Sequence, residues 1–200
     1  MTKVKFCGLT RERDIEAVNR LLPDFIGFVF WEKSKRKIDV DTAKRLKSAL
    51  DPKIKAVGVF VNEDIKQISK IANENIIDIV QLHGNEDSDY IKSLRNLTQK
   101  PIIQAVQVRN YEDIKKAEDS AADFILLDAG QGAGVNFDWN LAKAITRHYF
   151  LAGGLNISNV GEAVEKLEPF AVDVSSGIEV AGIKDEGLMR EFMGVVRGDI

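Results

Sequence analysis

The strongest constraint on the fold of this chain is an alternation that runs from one end to the other. Short runs rich in β-branched and aromatic residues recur at 3–7, 25–30, 55–60, 78–82, 102–106, 124–128, 149–152 and 171–174. Between them lie charged segments with helical spacing, among them 13–21 and 65–71. Strand–helix alternation of this kind yields a parallel sheet whose crossovers are helices. Eight runs in 200 residues recur about every 25 residues, the rhythm of a single (β/α)8 TIM barrel of class α/β, with eight parallel strands and surrounding helices. A doubly wound open sheet is the structural alternative. It usually has fewer strands, and its first strand-to-helix turn often carries a dinucleotide fingerprint. Here that turn reads Cys7-Gly8-Leu9-Thr10 and lacks G-x-G-x-x-G. The expected organisation is one catalytic domain over residues 1–200.

Composition removes several function classes. The net charge is only -3, and the lysines and arginines are interleaved with acids, so no nucleic-acid partner is expected. No apolar run approaches the roughly 20 residues that cross a bilayer, so no membrane partner is expected. Residues 1–6 run directly into a strand pattern without a signal-peptide core. One cysteine excludes an intrachain disulfide, and one cysteine with two histidines argues against a zinc site. The expectation is a cytoplasmic enzyme or binding domain, a monomer or homodimer, with a small-molecule substrate and no metal. Helix starts are marked by Asp39 and Asp41 before 42–50, Asn62 before 63–73 and Asn156 before 157–167.

In such a barrel, chemistry sits at the C-terminal ends of the strands, and side chains alternate between interior and helix layer. Val4 and Phe6 suit the helix layer, which turns Lys5 and Cys7 inward. The same parity turns Gln81 and His83 inward on the fourth strand, Asp128 on the sixth, and Asp173 and Ser175 on the eighth. A lone cysteine is commonly a small buried hydrophobe. A strand-terminal aspartate is often a turn residue, and His83 before Gly84 can simply order a loop. Convergence favours function: a thiol, a carboxylate and an imidazole share one rim, a costly choice for a core and an expected one for a polar mouth.

Two glycine-rich stretches add a ligand class. Gly153-Gly154 follows the seventh strand and leads into a helix, and Ser175-Ser176-Gly177 follows the eighth. Glycines serve tight turns, but they also let backbone N–H groups converge on an oxyanion. A phosphate site after strands seven and eight is frequent in this fold. A third stretch at 130–134 has the character of a loop able to close over substrate.

These motifs together resemble the phosphoribosylanthranilate isomerase family of tryptophan biosynthesis. The matching stretches are Lys5-Phe6-Cys7-Gly8-Leu9-Thr10, Gly27-Phe28-Val29-Phe30 with Ser34 and Arg36, and Val57-Gly58-Val59-Phe60-Val61-Asn62. Val80-Gln81-Leu82-His83-Gly84, Leu126-Leu127-Asp128 and Phe137-Asp138-Trp139 continue the series. It closes with Leu151-Ala152-Gly153-Gly154-Leu155 and Val172-Asp173-Val174-Ser175-Ser176-Gly177-Ile178-Glu179. Lys35 stands where the family usually has proline, and Gly132-Ala133-Gly134 where Gly-Thr-Gly is common.

The resemblance implies an Amadori rearrangement with Cys7 as general base and Asp128 as general acid, and no cofactor. It implies that Arg36 holds the anthranilate carboxylate and that Gly153, Gly154, Ser175, Ser176 and Gly177 hold the phosphate; His83 and Asp173 lie on the rim, where the expected role is substrate contact and the alternative a structural one. An acid and a base near working pH are needed. Asp128 would have to be raised by burial, and the Cys7 thiolate favoured by nearby positive charge, for which Lys5 is a candidate. The histidine-pathway aminoaldose isomerase is the neighbouring alternative. It normally uses aspartates at the ends of strands one and five, where this chain has Cys7 and Ala105-Val106-Gln107. Indole-glycerol-phosphate synthase usually relies on a lysine and glutamate set that Lys5 alone does not supply. A catalytically silent sugar-phosphate-binding barrel is the alternative from a different class.

Overall fold

The computed structural model describes residues 1–128 and 139–199. Eight parallel strands close in sequence order into a barrel: β1 (Lys3–Cys7), β2 (Phe25–Val29), β3 (Lys55–Phe60), β4 (Ile79–Leu82), β5 (Ile102–Gln107), β6 (Phe124–Asp128), β7 (Tyr149–Ala152) and β8 (Ala171–Val174). The connecting helices are α1 (Glu12–Leu21), α2 (Val40–Ser48), α3 (Ile65–Asn73), α4 (Ser88–Arg95), α5 (Tyr111–Glu118), α6 (Trp139–Ala142) and α7 (Ile157–Leu167). After β8 come one 3-10 turn (Ser176–Ile178), an antiparallel hairpin of β9 (Glu179–Val180) and β10 (Ile183–Lys184), and α8 (Glu186–Arg197). The sequence reading contains no such hairpin: two-residue strands are too short to show a period.

The expected strands are present within one residue at every end. Asp78, read as the first residue of the fourth strand, instead precedes it and accepts the Ala56 N–H at 2.8 Å. Asp24 does the same for Val4 (3.0 Å) and Asp123 for Ile102 (2.7 Å). An aspartate one residue ahead of an even-numbered strand thus caps the start of the odd strand before it, where a ladder partner is missing.

Helix capping follows the sequence at Asp39, which accepts from Thr42 N (2.6 Å), and at Asn156, which accepts from Ser158 N (2.9 Å); Asp41, also read as ahead of the helix, lies inside it, because α2 starts at Val40. Asn62 is a correction. The cap of α3 is Asp64, whose carboxylate accepts from Lys66 N and Gln67 N, and the helix starts at Ile65. Asn62 stands two residues earlier at φ 50°, and its side chain accepts the Asn85 N–H at 2.8 Å. It ties two loops at the barrel mouth rather than starting a helix.

Two apolar layers follow from strand alternation. Val4, Phe6, Val80, Leu82, Ile125, Leu127, Val172 and Val174 are buried against the helices. The interior layer holds Phe25, Val57, Ile103, Leu126, Phe150 and Ala171. Phe25 and Phe150 pack with ring centroids 5.3 Å apart, so the interior is filled at its N-terminal floor. Polar side chains are left the other end.

Candidate active site

The inward positions become polar toward the C-terminal end of the strands. On β1 they run Lys5, then Cys7; just past β4 His83 follows Gln81; β6 ends on Asp128; on β8 Asp173 is followed by Ser175. Cys7, His83, Asp128 and Asp173 line one cavity of about 270 Å³. Gly153, Gly154, Ser175 and Ser176 line it as well. The structure therefore brings together eight of the ten site residues expected from sequence. Gly177 and Arg36 lie just outside this lining.

Gly177 has a packing role in the loop pair. A Cβ there would lie 2.1 Å from the Leu155 carbonyl oxygen, so only glycine lets the loops after β7 and β8 meet. Gly153 and Gly154 take φ values of 95° and 66°, which L side chains rarely adopt. The cap Asn156 and its partner Asn159 both donate to the Gly154 carbonyl, at 3.2 and 3.1 Å. The two loops are thus fixed to each other and to the start of α7.

Arg36 is held by a residue absent from the sequence-based site. Its Nε and one terminal nitrogen each donate to Glu179 at 2.6 Å. A guanidinium carries five N–H donors, so Glu179 takes one edge and leaves the distal edge for a second carboxylate. Arg36 and Lys184 also donate to the Glu179 carboxylate strongly enough to overcome its burial, and they hold it at about 2. The Arg36 guanidinium is pushed up in return, chiefly by its hydrogen bond to Glu179.

Charge around the thiol is organised by Lys5. Its side chain is fully buried and donates to Asp173 Oδ2 at 2.9 Å. Burial alone would lower the Lys5 ammonium, but Asp173 and the Cys7 sulfur outweigh it, and the net shift is upward. Burial pushes the Cys7 thiol up, and Asp173 adds to that. Lys5 and Lys184 oppose the rise by favouring the thiolate. Lys5 is therefore the neighbouring cation that the sequence pointed to, and Lys184 is a second one.

Asp128 is oriented from the side. Its Oδ2 lies 3.1 Å from His83 Nε2, and His83 Nδ1 lies 3.1 Å from Gln81 Nε2. Because one ring nitrogen faces Gln81 and the other Asp128, the imidazole tautomer and the proton on Asp128 are linked. Among the described residues, two buried side-chain atoms have no hydrogen-bond partner: Gln81 Oε1 and Asp173 Oδ1. Both residues line the cavity, so they present two acceptors suited to hydroxyl donors of a ligand.

Sequence reasoning missed four contributors. Gln81 was turned inward by parity but given no role. Gly27 makes room for the thiol, since a Cβ there would stand 2.7 Å from Cys7 Sγ. Glu179 and Lys184 lie beyond β8, where no periodicity marks an inward face. The 130–134 stretch, expected to close over substrate, and Phe137 and Asp138 lie outside the described residues. Among those described, no three His, Cys, Asp or Glu side chains converge as a metal site. No helix among them is long and apolar enough to cross a membrane.

Comparison with known proteins bears on this geometry. The family model for N-(5'-phosphoribosyl)anthranilate (PRA) isomerase matches residues 4–195. An N-(5'-phosphoribosyl)anthranilate isomerase from Endomicrobium trichonymphae is 46% identical, over 98% of this chain and 99% of its own length. The crystal structure of phosphoribosyl anthranilate isomerase from Thermotoga maritima superposes with a TM-score of 0.89 at 37% identity, covering 99% of this chain and 100% of that one. A second crystal structure of such an isomerase superposes at 0.86 and 36% identity, over 99% of this chain and 100% of that one. It holds reduced 1-(o-carboxyphenylamino)-1-deoxyribulose 5-phosphate.

Proposed function

The chain belongs to the N-(5'-phosphoribosyl)anthranilate isomerase family, and on that premise we propose how its own residues carry the reaction. It converts N-(5'-phosphoribosyl)anthranilate to 1-(2-carboxyphenylamino)-1-deoxyribulose 5-phosphate, an Amadori rearrangement in tryptophan biosynthesis. The observation that carries the division of labour is that one thiol and one carboxylate, Cys7 and Asp128, line the same cavity from different strands.

Asp128, in its acid form, protonates the furanose ring oxygen. The C1–O bond breaks, and the nitrogen lone pair forms a protonated Schiff base at C1. That iminium acidifies the C2 proton. The Cys7 thiolate removes it, and the C2–H electron pair forms the C1–C2 double bond of an enolamine. Tautomerisation moves a proton from the C2 hydroxyl to C1 and gives the ketone. Solvent exchange then returns the proton from Cys7 and restores that on Asp128. The balance needs an acid and a base and no oxidant or reductant.

The other residues bind and orient. The distal edge of Arg36 takes the anthranilate carboxylate. Backbone N–H groups at Gly153, Gly154 and residues 175–177 take the phosphate, as strand seven and eight loops do in this fold. Asp173 and Gln81 offer their unpaired oxygens to sugar hydroxyls, and His83 fixes the direction of Asp128. Residues 1–200 act as a single catalytic domain in the cytoplasm. Each named group comes from one chain, so a monomer and a homodimer carry the same site.

The direct test is the loss of substrate fluorescence when purified protein is added to freshly made phosphoribosylanthranilate. Turnover is expected with no added cofactor, and no fluorescence change would favour a silent sugar-phosphate-binding barrel. Arg36→Met should mainly raise KM. An unchanged KM would remove Arg36 from the site.

A further inference from the structure

We propose that Glu179 and Lys184, facing each other on the β9–β10 hairpin, are positioning residues that hold the carboxylate-binding arm and the phosphate-binding loop in one frame. The inference rests on the roles given above to Arg36 and to residues 175–177. Its basis is a continuous chain of hydrogen bonds through the two hairpin residues. Glu179 accepts two bonds from Arg36 and a third from Lys184 Nζ at 2.6 Å. Lys184 Nζ also donates to the Ser175 carbonyl oxygen at 2.8 Å and to Ser175 Oγ at 3.2 Å. Ser175 Oγ donates onward to the Cys7 carbonyl oxygen at 3.0 Å.

The ammonium carries three N–H donors, and it has three acceptors here. Lys184 therefore stands beside the phosphate loop without a proton to offer a ligand. Its work is on the protein. The side chains of Lys184 and Glu179 are 3% and 5% exposed, whereas the other two hairpin strand residues, Val180 and Ile183, are 58% and 52% exposed. The hairpin turns only its ion pair inward. A buried pair of this kind adds little stability over an apolar pair of the same size, but losing one partner leaves a buried charge uncompensated, so the pair resists separation. The proposed substrate is anionic at both ends, so a fixed separation between the two anion binders lowers the ordering lost on binding.

The test uses the full chain, Glu179→Gln and Lys184→Met, with two readouts: steady-state kinetics and calorimetric titration of inorganic phosphate. The Glu179 carboxylate bonds to Arg36 and Lys184, and Glu179 reaches the phosphate loop through its backbone N–H, which donates to the Ser176 carbonyl oxygen and is kept in Glu179→Gln. Glu179→Gln should nevertheless weaken phosphate at least about threefold, and raise substrate KM about tenfold while kcat falls less than about threefold. A purely electrostatic role has the opposite sign, since deleting a negative charge near an anion site tightens phosphate. Arg36→Met should leave phosphate affinity within about twofold. The double variant Glu179→Gln/Lys184→Met should have a KM within about twofold of the worse single variant, because one frame breaks only once. Phosphate binding unchanged or tightened in Glu179→Gln, or KM effects that multiply, would overturn the proposal. If Lys184→Met fails to fold, the phosphate titration of Glu179→Gln decides alone. Absence of turnover in the unmodified chain would instead overturn the assigned reaction, and the phosphate titration would still read the frame.

Discussion

The floor and the mouth of the barrel are built from the same strands, two residues apart, and they solve opposite problems. Lys3 and Lys5 are successive inward positions on β1. At the floor the Lys3 ammonium lies 4.9 Å from the Phe170 ring centroid and 5.7 Å from that of Phe25, an aromatic contact with water still in reach. One step higher, the Lys5 ammonium is sealed from solvent and pairs with Asp173. The same step takes β6 from Leu126 to Asp128 and β8 from Ala171 to Asp173. Below, apolar burial contributes stability; above, buried charge costs desolvation, and that cost is offset by the ion pairs around Cys7 and the proposed anion sites. The division is possible because each inward residue answers to its own layer.

The largest effect expected from this contrast is chemical. Cys7→Ser and Asp128→Asn should each lower kcat by about 10²- to 10⁴-fold, the range for a lost general base or acid, with urea midpoints nearly unchanged. Loss within threefold would reject the pair. Phe150→Ala tests the floor. It empties a fully buried ring site and should cost about 4 kcal/mol in urea unfolding, while kcat/KM per folded molecule stays within about twofold. A large fall in kcat/KM there would mean that floor packing sets the mouth geometry.

Lys5→Met should blur the line between the two regions. It strands Asp173 as a buried unpaired carboxylate and should cost about 3 kcal/mol. It also removes a cation that favours the thiolate, so the thiol pKa rises and the acid limb of the kcat/KM–pH profile moves to higher pH. A limb that stays in place would remove Lys5 from control of Cys7.

The smallest effect concerns Glu179, whose carboxyl is held at about 2 against an ordinary 4.5. A depressed carboxyl contributes stability that is fully present above the ordinary value and is lost as pH falls through the folded one. Urea melts should lose on the order of 2 kcal/mol between those two values. In Glu179→Gln the loss over that segment should be smaller by that amount, the remaining slope coming from Asp39, Asp113 and Glu186, whose carboxyls are also depressed by their hydrogen-bond and charged partners. An equal slope in both proteins would place the titration elsewhere.

Much of this was legible beforehand, for identifiable reasons. Strand alternation marks the two faces of each run, so Cys7, Asp128 and Asp173 could be assigned inward from their apolar neighbours. Helix starts were legible at Asn156, where one polar residue precedes the helix, and at Asp39, although Asp41, read beside it, lies inside α2. At Asn62 two capping types stand two residues apart. Asp64 wins because the left-handed backbone of Asn62 sends its side chain to the neighbouring loop. Arg36 was legible as an anion binder by resemblance. Its fixing by Glu179, 143 residues away, was not, because no local pattern records a contact between loops.

The sequence by itself determined the barrel and its rim, and through the family resemblance it named the residues proposed as acid, base and anion binders. Strand period is a local property, and the rim motifs are continuous stretches of chain. Only the tertiary structure decided how those residues are held: Lys5 against Asp173, His83 between Gln81 and Asp128, and Lys184 spent on Ser175 and Glu179. Those are contacts between distant strands and loops. Their strength depends on burial and on three-dimensional distance, which the closing of the barrel alone sets.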